Sequence, residues 1–530
     1  MPEPQAHTPP PNAATPHRTK RFAVNVLWNW LGVLVSLASG VLLSPYLIRK
    51  LGDDGYGIWA LAFSIIQYYW LLDLGFRSAT VKFVAHYSAT GETDRIREVL
   101  NTGLLYSTII ALVIMVPVFF GAPYLNKFFN IQPSYHRQFT ILVILVTGSW
   151  CAGSAFSLFG ASLEAVQRFD LSNRASIVAT AIRTFGSFAL LYQGYGLIAM
   201  GIVAAVSQLS MYLLNYLMFR RVFPGHMVSA RYASRAMLRK MGAFGFHSFL
   251  AVIGNQLLGE SVPVLLGHYQ GARFVGFFNL PVRLLQYTVE LVARIGLVTN
   301  TNAAELSARG ESEALTRLAI YPNRYCLTIF MPMAIFLWIY GGQLFNLWVG
   351  PEFAAQSAPL LPILLVGSVI AIVGQFSSSM LLQGLGRHQA YARGLLVESL
   401  TGIGVLIWVI PRYGMRGAAI ASVIFMILNR AVYLSWLTCR VVGIRLMKYW
   451  IDTYAPPFLS TIPAIVLLSW MRVSAVAGNN WTQLIEAAGV SGAVYYAVAW
   501  FTCLAPEHRR IVSHTVWVRL SAARAGEAKP

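Results

Sequence analysis

Residues 51–87 read LGDDGYGIWALAFSIIQYYWLLDLGFRSATVKFVAHY. A polar, glycine-rich turn gives way at Gly57 to a long apolar run in which the charges Asp73, Arg77 and Lys82 are embedded. About twenty apolar residues in helical form cross the roughly 30 Å hydrocarbon core of a bilayer. The stretch therefore reads as a membrane-spanning helix over 57–87, with charged side chains carried inside it.

The pattern recurs from end to end. Of the 530 residues, 56% are hydrophobic and 11% charged, too little polar surface to cover a soluble globule of this size. The spacing predicts spans at 24–48, 57–87, 99–121, 138–161, 174–193, 196–219, 242–267, 274–299, 319–341, 357–383, 391–411, 415–438, 452–472 and 482–504. The expected fold class is thus an all-α polytopic membrane protein with about fourteen transmembrane helices. The first apolar block is too long for the core of a cleavable signal, and no small-residue cleavage site follows it. The Pro-, His- and Thr-rich start, 1–21, reads as a short disordered cytoplasmic tail. Cys151, Cys326, Cys439 and Cys503 lie far apart in or beside apolar blocks, without metal-type spacing, and read as buried thiols.

Charge sets the orientation. An even number of crossings puts both termini on one side; if that side is cytoplasmic, about 26 of the Lys and Arg residues fall there, about 8 opposite and about 6 within spans. This asymmetry and contact with anionic lipid account for much of the net charge of +20. Nucleic-acid binding would gather basic residues on one domain, whereas here they are dispersed among loops. The longest internal basic loop, 220–241, carries Arg220, Arg221, Arg231, Arg235, Arg239 and Lys240. It reads either as an amphipathic helix on the cytoplasmic leaflet or as a plain topology-setting loop.

The opening stretch also has an echo. Gly52, Gly57 and Leu61 return at a constant offset of 219 as Gly271, Gly276 and Leu280, in QGARFVGFFNL. Arg168 and Arg174, in QRFDLSNRA, match Arg387 and Arg393, in GRHQAYARG, at the same offset. With a one-residue gap Gly194, in GYGLIAMG, aligns with Gly414, in YGMRGAAIA. The offset carries span one onto span seven and so predicts two parallel six-helix lobes around a central cavity, plus a C-terminal helix pair. The expected organisation is an N-lobe at 22–219, the linker at 220–241, a C-lobe at 242–438, the last pair at 439–504 and a basic cytoplasmic tail at 505–530. Such lobes suit alternating access by rocking about the cavity.

Residues 51–87, with GQLFNLWVGPEFAAQSAPLLPILL, SSSMLLQGLGRHQAYAR and YGMRGAAIASVI further on, resemble the signatures of polysaccharide-export and O-antigen-type flippases. These belong to the multidrug/oligosaccharidyl-lipid/polysaccharide exporter (MOP) superfamily, and the resemblance covers roughly 20–440. It implies a bacterial inner-membrane transporter that moves lipid-linked sugars for capsule, exopolysaccharide or O-antigen assembly. The sequence departs from the ion-coupled multidrug branches, which often carry a carboxylate in the first helix of a lobe. Here span one has Asn25 and Asn29 but no acid, and span seven only Glu260.

Charges inside a span are expensive and tend to mark a pathway. On span eight Arg283, Glu290 and Arg294 are spaced by seven and four, within about 40° on one helical face, with Asn279 and Tyr287 flanking them. Two guanidiniums on one stripe suit an anionic ligand, since Arg offers planar bidentate donors matched to phosphate. An Arg–Glu pair joining two helices fits the same residues. On span two Asp73 and Arg77 are four apart, which allows an intrahelical pair; Arg77 also reads as cavity-lining, with Asp73 and Arg77 as candidate substrate-binding residues, and Lys82 reads as cavity-lining or as snorkelling to the interface. Arg183, Glu398 and Arg430 are further intramembrane charges, with pairing as an alternative role. On span seven Gln256 and Glu260 share a face, with His247 and Asn255 nearby in sequence. Glu260, Gln256 and Asn255 suit coupling to Na⁺ or H⁺, or equally a hydrogen-bonded helix contact.

Nothing points to covalent chemistry, a catalytic residue, a cofactor or a metal: there is no P-loop and no His/Cys/carboxylate cluster with metal spacing. The leading expectation is a flippase for a polyprenyl-pyrophosphate-linked oligosaccharide, partnered by polysaccharide polymerase and glycosyltransferases. An ion-coupled drug or cation extruder would want an acidic cavity, whereas the buried charge here is net positive. A membrane enzyme using lipid-linked sugars would want a large extramembrane loop, which the chain lacks.

Overall fold

The computed structural model describes residues 16–225, 228–474, 480–510 and 513–514, and among them the chain is helical without a strand. The first half runs α1 (Pro16–Gln67), α2 (Phe76–Thr90), α3 (Thr93–Phe128), α4 (His136–Ala165), α5 (Phe169–Tyr192) and α6 (Leu197–Val222). It continues through α7 (Arg235–Tyr269), α8 (Ala272–Ala308), α9 (Ser312–Val349), α10 (Pro351–Ser357), α11 (Leu361–Val373) and α12 (Ser379–Gly384). The last four are α13 (His388–Met426), α14 (Leu434–Val442), α15 (Leu446–Val473) and α16 (Trp481–Thr502). Segments of π-helix, Gly374–Ser378 and Ile427–Tyr433, join α11 to α12 and α13 to α14.

Ten helical runs among the described residues are long and apolar enough to cross a membrane. Two contain a break: α1 at Gly52 (φ 71°, ψ 175°) and α13 at Gly414 (φ 58°, ψ −147°). The basic stretch 220–241 is no separate surface helix in its described part. It holds a three-residue turn, Ala230–Tyr232, and then the first turns of α7. Two bonds to α3 tie it down, Ser229 N–H to Asn101 Oδ1 at 2.7 Å and Ser234 N–H to Thr102 Oγ1 at 3.0 Å.

The expected second span is not one helix either. Residues Tyr68–Asp73 wind as a 3₁₀ helix, Leu74 and Gly75 take φ of 45° and 75°, and α2 starts afresh at Phe76. A left-handed residue is cheap only for glycine. The missing side chain of Gly75 also admits the carbonyl oxygen of Gly245, which a Cβ there would meet at 2.4 Å.

The repeat is visible in the backbone. Positive φ occurs at Gly52 and Gly271, at Gly91 and Gly310, and at Gln167 and Gly386, each pair at the offset of 219. Asn130 pairs with Gly350, and Gly194 with Gly414, at an offset of 220. The same chain reversals are thus made twice by the same backbone device. Leu74 and Gly75 break the pattern, because positions 293 and 294 lie inside the continuous α8.

The chain forms two compact units. One comprises Met1–Leu43, Gly75–Phe119 and Ile144–Gly245; the other comprises Ser44–Leu74, Phe120–Val143 and Phe246–Pro530. In the first, small residues let helices approach, as expected where lipid supplies no hydrophobic drive between them. A Cβ on Gly153 of α4 would lie 1.7 Å from the ring of Tyr212 on α6, and Ser207 donates to the Ala179 carbonyl at 2.7 Å.

In the second unit the last helix pair is pinned to α9 through backbone carbonyls. Arg324 Nε donates to Asp452 O at 2.6 Å, and Arg472 Nη1 donates to Ile339 O at 2.8 Å. Beneath them Asn323, Ser378 and Tyr449, all fully buried, share hydrogen bonds of 2.9–3.0 Å. The four cysteines are free and buried, as their apolar surroundings predict.

Candidate functional site

The polar residues expected on spans seven and eight come together in the second unit, with α1 as the third wall. Glu260 of α7 is half-buried; it accepts a hydrogen bond from Ser64 of α1 and lies in the field of Arg283. Tyr68, in the turn after α1, bonds Ser261 through its hydroxyl at 2.8 Å and also senses Glu260. Gln256 donates to the carbonyl of Gln67 at 3.1 Å, satisfying an acceptor at the end of α1. Buried Tyr56 bonds Ser44 and lies near both Arg283 and Tyr287.

Arg283 is the chemically open member. Among the described residues it makes no ion pair, and its one hydrogen bond is a long 3.4 Å contact from Nη1 to Gln286 Oε1. Asn279 and Tyr287 are half-buried one turn before and after it, and Glu290 is exposed one turn further on. Two guanidinium edges therefore remain for a ligand, with a carboxylate and three tyrosines close by. The side chains of Arg294, Asn255, His247, Asn25 and Asn29 lie outside the described residues.

The expected continuous helix through Asp73 and Arg77 is corrected. The chain breaks at Leu74 and Gly75 between them, so Asp73 closes the 3₁₀ turn and Arg77 sits in the first turn of α2. Arg77 Nη2 is 2.6 Å from Glu164 Oε1 of α4, a residue that lies just past its expected span. Lys82 rests 3.9 Å above the ring of Phe244, a cation–π contact within its own unit. Arg430 pairs with buried Glu398 at 3.7 Å, and Asn429 donates to the same carboxylate at 2.6 Å. Arg183 is exposed on α5.

Sequence spacing missed Ser64, Tyr68, Tyr56 and Glu164. A signal for two of them existed: Ser64 and Tyr68 are the repeat equivalents of Arg283 and Tyr287, at the offset of 219. The second unit thus gathers repeat-related positions around Glu260. Among the described residues no group of three His, Cys, Asp or Glu side chains is placed to hold a metal ion.

A family model described as polysaccharide biosynthesis protein matches residues 22–299. The chain is 22% identical over 437 residues to a putative O-antigen transporter of Shigella flexneri, covering 79% of this chain and 98% of that one. Its fold matches the lipid II flippase MurJ in an inward closed conformation with a TM-score of 0.71 at 12% identity, over 90% of this chain and 98% of that one. It also matches an inward-facing multidrug resistance MATE family transporter of the MOP superfamily, with a TM-score of 0.65 at 16% identity, over 79% and 96% of the two chains.

Proposed function

Because the chain belongs to the polysaccharide biosynthesis protein family, whose model matches more than half of it, we propose that it is a flippase for a polyprenyl-pyrophosphate-linked oligosaccharide. It would carry this lipid across the bacterial inner membrane for surface polysaccharide assembly, without being an enzyme itself. Polysaccharide polymerase and glycosyltransferases would work beside it.

The observation that carries this reading is Arg283. A guanidinium without an ion pair in a spanning helix is costly unless a ligand or water meets it. Its fixed fork matches two phosphate oxygens, which a lysine would meet only as a point charge. The names of the O-antigen transporter and the lipid II flippase point the same way.

Fourteen crossings with both termini cytoplasmic complete the proposal. Cutting α1 at Gly52 and α13 at Gly414 turns the ten apolar helices into twelve, and α7 and α8 supply two more. The repeat supports two lobes working by alternating access. Glu260 beside Arg283 is then the place where Na⁺ or H⁺ would couple to transport, because a phosphate that draws off the guanidinium leaves the carboxylate in need of another cation.

The test is complementation of a polysaccharide-export mutant by Arg283→Ala and Arg294→Ala. Export should be lost while abundance in the membrane is unchanged. If export survives both substitutions, the phosphate-clamp reading falls.

A further inference from the structure

Arg393, Val397 and Thr401 stand at intervals of four on the first half of α13 and share one face of it. Leu395 lies on the opposite face and packs against Gly254 of α7, where a Cβ would meet it at 2.6 Å. The stripe therefore looks away from α7 and from Glu260. Leu428, Asn429 and Tyr433 form a second wall, and the two walls bound a cleft of about 390 Å³ within the second unit. Val397 and Leu428 on its edges are 62% and 54% exposed. Open apolar side chains on spanning helices meet lipid tails, which are as apolar as leucine, so the cleft opens to the bilayer.

The backbone shapes this cleft. Ile427–Tyr433 is wound as a π-helix, an irregularity that recurs at functional sites. Gly394 lets the walls close at the floor, since a Cβ there would lie 2.6 Å from the ring of Tyr433 and 2.8 Å from Asn429 Oδ1. The floor is balanced in charge, because Glu398 is paired with Arg430 and accepts from Asn429. Arg393 is not balanced. It is exposed, and among the described residues it forms no ion pair, hydrogen bond or ring contact. Tyr433 and Trp436, with ring centroids 6.2 Å apart, stand at the same end, and Arg440 lies 5.4 Å above Trp436. Such aromatic rings mark the level of the lipid headgroups, here at the expected cytoplasmic end of both helices.

The first half of the repeat does not build the cleft. Its equivalent arginine, Arg174, lies 4.9 Å above the ring of Trp28. Ala179 stands in place of Glu398, and its carbonyl accepts the hydroxyl of Ser207 from a regular α6. The repeated scaffold therefore requires neither the π-helix nor an uncompensated arginine.

We propose that this cleft binds an anionic phospholipid, its phosphate on Arg393 and one acyl chain between the two walls. Charge complementarity selects the occupant. Basic pockets between spanning helices on the cytoplasmic side suit anionic headgroups, and a guanidinium fork fits two phosphate oxygens. The site is separate from the one proposed for the transported lipid, because Arg283 is on α8 and the cleft opens away from α7.

The experiment is native mass spectrometry of the purified full-length protein with phosphatidylglycerol and with phosphatidylcholine of the same acyl chains. For the first lipid bound, wild type should favour phosphatidylglycerol by about five-fold, the scale of one basic residue at an anionic surface. Arg393→Ala should bring the two lipids within about two-fold of each other. Arg393→Lys, which keeps the charge, should retain most of the preference. Arg174→Ala removes the same charge from the equivalent position and should leave the preference unchanged. Val397→Trp fills the cleft and should weaken both lipids. Undecaprenyl pyrophosphate, a third probe, should bind wild type and Arg393→Ala alike.

Wild type without a preference overturns the proposal, as does a preference that survives Arg393→Ala or falls equally in Arg174→Ala. Unchanged binding of both lipids by Val397→Trp overturns it too, since no chain would then lie in the cleft. If Arg393→Ala weakens undecaprenyl pyrophosphate as much as phosphatidylglycerol, the cleft belongs to the transported lipid and the phospholipid assignment falls.

Discussion

Gly57 and Gly276, equivalent positions of the internal repeat, pack back to back: a Cβ on Gly276 would lie 3.1 Å from the Cα of Gly57. One on Gly57 would lie 2.1 Å from the carbonyl oxygen of Ala272. Nearby, Arg273 reaches Asp53 at 2.7 Å. The repeat is therefore more than an echo in the sequence, because its equivalent glycines form the contact on which α1 and α8 meet.

Gly57→Ala should lower thermal stability, since backbone rather than a flexible side chain occupies the space. Overpacking of this kind costs about 1–3 kcal/mol, to be read as a lower unfolding midpoint in detergent. Gly121→Ala is the control, because a methyl there meets nothing within 4 Å. It should leave stability unchanged or raise it by up to about 1 kcal/mol. Equal midpoints for the two variants would contradict the close contact.

At the break in span two, Gly75→Ala combines a positive φ of 75° with the Gly245 carbonyl at 2.4 Å. Gly91→Ala has a similar φ of 77° and open space around it. The second variant should lose about 1–2 kcal/mol from strain alone, and the first clearly more. Chemical denaturation of the two proteins side by side measures the difference. A smaller loss at Gly75 would mean that the approach of Gly245 does not hold the break.

The Glu398–Arg430 pair is nearly sealed, with side chains 2% and 12% exposed. Arg430→Leu strands a buried carboxylate and should cost about 3–5 kcal/mol. Glu398→Leu combined with Arg430→Leu should cost less than Arg430→Leu alone, because no unpaired charge then remains. A double-mutant cycle on thermal unfolding decides the matter, and additive losses would rule out the coupling.

Arg283→Lys keeps the charge but loses the fork, so export should fall by roughly ten-fold with abundance intact. Lys82→Met removes a cation–π contact worth about 0.5–2 kcal/mol and should leave the export rate per folded molecule unchanged. Assaying both in the same export-deficient strain separates a ligand-binding cation from a structural one. Full activity of Arg283→Lys would show that charge alone suffices.

Much of the fold was legible because it depends on local composition. Apolar runs of span length and the positions of Gly52, Gly271, Gly194 and Gly414 follow from bilayer thickness and from glycine's tolerance of positive φ. The break at Leu74 and Gly75 was not legible, for Gly75 is one glycine among many and what distinguishes it is Gly245, on a helix far along the chain. The expected continuous helix through Asp73 and Arg77 failed for the same reason, since a spacing of four means one face only while the helix is continuous.

The sequence alone determined the helical membrane class, the repeat with its offset of 219, and the presence of arginines within the spans. Tertiary structure decided what each charge does: Arg77 is held by Glu164, Arg430 by Glu398, and Lys82 by Phe244, while Arg283 keeps its donors open beside Glu260. The division has a physical cause. The cost of burying a charge is written into the residue itself, but its compensation comes from whichever side chains other helices bring within about 4 Å, and only the packed fold selects them.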